Sequence, residues 1–122
     1  MMREVTHITQ YESNKHRRWF QDDYFDLYTW ENKDGDLLGF QLCYAKDDLQ
    51  RALRFSPEAG YQHEGVDQPE DKPGRAMSAI FTADGLFDPA DIGARFGHES
   101  IELPANISTF VMEKIHGYQP AL

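Results

Sequence analysis

Cys43 and His63 are the side chains best suited to covalent chemistry in this sequence. A thiolate becomes a nucleophile when a nearby base takes its proton, and a carboxylate such as Asp26 or Asp67 can orient the imidazole. Two facts weigh against such a small enzyme. A strand cysteine usually serves as a small buried hydrophobe, and no helix N-terminus or neighbouring cation is in view to lower its pKa. Metal chemistry has still less to draw on. The five histidines, His7, His16, His63, His98 and His116, offer no i, i+4 pair and no HExxH. The lone cysteine removes Cys₂ and Cys₄ sites and any intrachain disulfide. Asn32-Lys33-Asp34-Gly35-Asp36 suggests a calcium loop. An EF-hand starting at Asn32, however, needs Gly at its sixth position and Glu at its twelfth, where Leu37 and Cys43 stand. GxGxxG, Walker and GxSxG patterns are missing. The sequence therefore names no cofactor and no metal.

The elements that would position these groups are strands first and helices last. Weak or short strand patterns cover residues 4–11 and 17–21. The clearest feature is the pair 23–31 and 37–45, which alternate in polarity around Asp34-Gly35. Asp-Gly between alternating runs signals a hairpin, because a type I′ turn needs positive φ at both central residues. Further strands are expected at 50–55, at 61–66 and at 76–82. The stretch from Pro57 to Gly74 is rich in proline, glycine and acid and reads as turns and loop. Asp88-Pro89 opens one helix, with Ile92 and Phe96 on one side and Gly93 and Gly97 weakening it. Pro104 opens another, with Ile107, Phe110, Val111 and Ile115 on one stripe and Gly117 as the stop. The expectation is a single α+β domain over residues 1–122. It has an antiparallel sheet of about four to six strands around a central hairpin, with two C-terminal helices packed on one face.

Turning the hairpin at Asp34-Gly35 sets Glu31 against Leu38, Trp30 against Gly39, Tyr28 against Gln41, Asp26 against Cys43 and Phe25 against Tyr44. Alternation then sorts the side chains. Phe25, Leu27, Thr29, Leu38, Phe40, Leu42 and Tyr44 form a core face. Tyr24, Asp26, Tyr28, Trp30, Gly39, Gln41 and Cys43 form the other, where Trp30 can cover the bare backbone of Gly39. This second face is either a partly solvated sheet surface or a groove for a ligand, partner or second copy. Tyr and Trp favour interfaces, and Asp26 and Gln41 are suited to orienting a ligand.

Composition narrows the classes. A chain of 122 residues with 13% aromatic content holds a real core, burying roughly two-thirds of its unfolded surface. The net charge of −9 repels nucleic acid and anionic membranes. Lys15-His16-Arg17-Arg18 is a short basic exception and reads as a solvated loop before a strand. No secretory pattern and no run of about 20 apolar residues occurs, so a cytoplasmic protein off the membrane is expected.

Arg17-Arg18-Trp19-Phe20, Asp22-Asp23-Tyr24-Phe25-Asp26-Leu27, Gly39-Phe40-Gln41-Leu42-Cys43-Tyr44 and the later Leu103-Pro104 resemble a family of small bacterial proteins of unknown function. The likeness covers most of residues 17–118. It implies a shared fold and a bacterial, cytoplasmic setting, and no activity. The expected function is non-enzymatic binding on the face of Tyr24, Asp26, Tyr28, Trp30, Gln41 and Cys43, with His63 nearby and a homodimer as one form. The alternatives are the Cys43/His63 enzyme and an acidic decoy that mimics an anionic partner.

Overall fold

The computed structural model describes residues 1–10, 14–46, 50–67, 80–83 and 87–118. Among these residues seven strands form one antiparallel meander in chain order: β1 Arg3–Val5, β2 His16–Gln21, β3 Phe25–Glu31, β4 Leu37–Tyr44, β5 Arg51–Ser56, β6 Gly60–Asp67 and β7 Ile80–Ala83. Two helices follow, α1 Pro89–Glu99 and α2 Ala105–His116. The α+β architecture is as expected, and the sheet's two edges are the short strands β1 and β7. Of the segment read as loop from Pro57 to Gly74, the described part holds a tight turn before β6 begins at Gly60, whose φ of 71° closes that turn, and residues 68–74 lie outside the described residues. The strand expected at 4–11 stops at Val5, because His7 takes a φ of 62° and turns the chain out of extended geometry. The strand expected from Ala76 is described only from Ile80.

The core lies between one sheet face and the helices. Phe20, Phe25, Leu27, Phe40, Leu42 and Leu53 meet Ile92, Phe96, Leu103, Ile107, Val111 and Ile115, all buried. Fully burying one such side chain is worth about 1.5–3 kcal/mol. Helix α1 begins where the sequence marks it: Asp88 accepts from the amides of Ala90 and Asp91 and Pro89 follows. Gly93 has a packing reason, since a Cβ there would meet the His116 ring of α2 at 3.2 Å.

The central hairpin keeps the expected register from Phe25↔Tyr44 through Trp30↔Gly39. Its turn differs. Only Gly35 has positive φ (84°), and the Gly35 amide donates to the Asn32 carbonyl at 3.1 Å. Asn32 Oδ1 also accepts from the amides of Asp34 and Asp36. This is a three-residue loop, one residue longer than a type I′ turn. Glu31 therefore faces Leu37, not Leu38, and the register shift between Trp30 and Glu31 takes up the extra residue. Leu37 packs against the core in the place expected for Leu38, and Leu38 lines a concavity described below.

Candidate functional site

Both helices pack on the core face, and the opposite face carries no helix among the described residues. Strand pairing fixes what it presents. One row runs Trp19, Tyr28, Gln41, Arg54, Gln62 from β2 to β6; a second runs Gln21, Asp26, Cys43, Ala52, Glu64; Arg17, Trp30 and Gly39 begin a third. The rows are knitted together. Trp19 and Tyr28 stack with ring centroids 5.6 Å apart. Trp19 Nε1 donates to Asp26 Oδ1 at 3.0 Å, and Lys46 Nζ pairs with the same oxygen at 3.3 Å. Arg17 lies over the Tyr28 ring. Arg54 Nε donates to Gln41 Oε1 at 2.9 Å, and Gln41 Nε2 to Cys43 Sγ at 3.3 Å.

These contacts assign roles. Asp26 anchors Trp19 and Lys46, so its carboxylate is committed inside the sheet surface. Burial, then the Asp26 carboxylate, pushes the Tyr28 phenol up, which keeps it a protonated donor. Cys43 is buried, and burial raises its thiol above the ordinary value although Gln41 donates to the sulfur. A thiol held neutral in this way is a poor nucleophile.

Two expected members of this face lie elsewhere. His63 pairs with Leu53, which pairs with Leu42, and so falls on the core face. There His63 Nε2 and Tyr44 Oη share a hydrogen bond of 2.6 Å, and Phe87 packs edge-on against the imidazole. The neighbours of Cys43 across the strands are instead Ala52 and then Glu64. The sheet itself separates thiol from imidazole, so the Cys43/His63 pair does not form. Tyr24 also belongs on the other side. It precedes β3 in a turn where Asp22 Oδ1 accepts from the amides of Tyr24 and Phe25, which ends the alternation. Its ring packs on Phe25 and Tyr44 under the Arg95 guanidinium of α1. Trp19, Arg54 and Gln62 are members that sequence reasoning missed. The alternation of β2 held a signal for Trp19, since Phe20 must face the core.

At the hairpin-turn end of β3 and β4 this face sinks into a concavity of about 380 Å³. Trp30, Gln41, Arg54 and Gln62 line it, together with Lys15 and residues of the Ser56–Gly60 turn. Gly39 also lines it, and the strand spacing explains why the residue is glycine: a Cβ would meet the Phe55 carbonyl oxygen at 2.5 Å. The bulge that aims Leu38 here belongs to the same corner. Among the described residues, no three His, Cys, Asp or Glu side chains converge to hold a metal ion, and no helix is long and apolar enough to cross a membrane. The chain matches no protein-family model, no curated protein and no solved structure.

Proposed function

We propose that this chain is a non-enzymatic binding protein that takes a small ligand in the concavity beside Trp30. The observation that carries this reading is the convergence of an indole, bare glycine backbone, two carboxamides and a guanidinium in one hollow on the sheet face that carries no helix among the described residues. Ligand sites have this make-up: apolar surface for affinity and a few placed polar groups for orientation. The hydrogen bond from Arg54 to Gln41 supports it further, because groups fixed before binding lose less freedom on binding. The thiol of Cys43 stays buried under this surface and takes no chemical part.

A thermal-shift screen with small cyclic compounds, neutral, cationic and anionic, tests the reading on the wild-type chain and on Trp30→Ala. A true ligand at 100 times its dissociation constant adds about 2.7 kcal/mol of stability. That gain is expected for the wild type and is lost in Trp30→Ala, while the unliganded variant still folds. Gains that persist in the variant refute the site. A dimer in sedimentation that Trp30→Ala dissociates would show instead that a second copy occupies this face.

A further inference from the structure

We propose that residues 6–10 form a two-position latch on the outer edge of β2: folded back in one position, and zipped onto β2 as an extension of β1 in the other. The proposal stands independently of the ligand reading above. The edge comes first. Among the described residues, β1 pairs with β2 only through Arg3↔Gln21, Glu4↔Phe20 and Val5↔Trp19, so β2 from His16 to Arg18 runs past the end of its partner strand. A sheet edge of this kind presents backbone donors and acceptors that need partners. At Arg17 a side chain supplies them. Gln10 Nε2 donates to the Arg17 carbonyl at 2.8 Å, and Gln10 Oε1 accepts from the Arg17 amide at 2.7 Å. Two facing residues of an antiparallel ladder exchange this same pair of bonds. The Gln10 carboxamide thus occupies the place of strand backbone.

Register identifies the backbone that it replaces. Continuing the ladder sets Thr6 against Arg18, His7 against Arg17 and Ile8 against His16. His7 is therefore the residue displaced by Gln10. The chain turns away there because His7 has a φ of 62°, a conformation that His enters more readily than most non-glycine residues. Its neighbours favour the other position: Val5, Thr6, Ile8 and Thr9 are all β-branched, the type that suits strands. One left-handed residue therefore competes with the strand preference around it, and the bonds at Gln10 decide the outcome. A third bond runs from Arg17 Nη2 to the Thr9 carbonyl at 3.3 Å. It ties the folded-back position to the open sheet face, where the same guanidinium lies over the Tyr28 ring. Zipping exchanges that bond for the His7 side chain, which joins Arg17, Trp30 and Gly39 in their row.

NMR spectroscopy of the full chain tests the latch. One readout is the contact between the α-protons of Thr6 and Arg18, which approach closely only in the zipped ladder. The other is exchange protection of the Arg17 amide. His7 and Gln10 are both exposed, so replacing them leaves the core intact. Wild type and His7→Gly, which accepts positive φ without steric cost, are expected to lack the contact and to protect the amide through Gln10. Gln10→Ala is expected to raise the contact above wild type. Adding His7→Val, a β-branched replacement that disfavours positive φ, should raise the ratio of zipped to folded-back chain roughly tenfold further. The Arg17 amide stays protected in that double variant, now by strand backbone. Loss of the protection without the contact overturns the proposal, because the segment then frays and has no second position. Protection that survives Gln10→Ala without the contact overturns it too, since Gln10 is then not the plug. A dominant contact in the wild type overturns the folded-back resting position. If sedimentation shows the double variant to be a dimer, a second copy takes the edge and the proposal also fails.

Discussion

Thr29 lies in the middle of β3 on the core face, with no exposure to solvent, and its hydroxyl oxygen has no hydrogen-bond partner among the described residues. Hydration satisfies that hydroxyl in the unfolded chain, and no described group replaces it on folding. Leaving such a group buried and unpaired costs about 1–3 kcal/mol. Thr29→Val keeps the branched shape, removes the orphan group and adds a methyl where Phe40 faces it across the strands. The variant is therefore expected to be more stable by about 1–2 kcal/mol. With a urea m-value of roughly 2 kcal/mol/M, the midpoint moves up by about 0.5–1 M. Thermal unfolding should shift by roughly 3–6 °C per kcal/mol for a chain of this size. Thr29→Ser is the control. It keeps the hydroxyl, loses the methyl and should be less stable than wild type. Urea unfolding followed by circular dichroism reads all three chains. An unchanged or lowered midpoint for Thr29→Val, at constant m, refutes the reasoning by showing that the hydroxyl is satisfied in the folded protein.

Two further expectations follow from the same structure. Cys43 should react with a disulfide reagent at neutral pH only after denaturant is added, because burial both hides the thiol and raises its pKa; rapid labelling of the native chain contradicts this. Arg18 grips Glu4 at 2.8 Å, and that hydrogen bond, opposed by partial burial, holds the Glu4 carboxyl below its ordinary value. The contribution of the pair is thus fully present above the unfolded pKa of about 4.3 and fades as pH falls through the lower folded value. Glu4 is partly exposed, so the whole effect stays under about 1 kcal/mol. Glu4→Gln should flatten stability against pH in that acidic window and leave the slope near neutrality unchanged, as urea midpoints across pH would show.

The sequence by itself determined the order of elements and most of the central hairpin. Alternation along β3 and β4 fixes which side chains share a face, and one turn between them leaves almost no freedom in register. That is why Asp26 opposite Cys43, Tyr28 opposite Gln41 and Trp30 opposite Gly39 could be written down beforehand. The helix starts at Pro89 and after Pro104 were legible for a similar reason, since caps and prolines act within one turn of chain. Tertiary structure alone decided the rest. Asn32, by accepting two amides, stretches the turn to three residues; the bulge then restores the register and trades Leu38 for Leu37 in the core. His63 is separated from β4 by two turns, and each added residue in a turn flips the face of everything beyond it. Its burial against Tyr44, away from Cys43, therefore depends on geometry that composition does not encode. The hollow beside Trp30 gathers β3, β4, β5, β6 and Lys15, and only the folded sheet brings those five stretches to one corner.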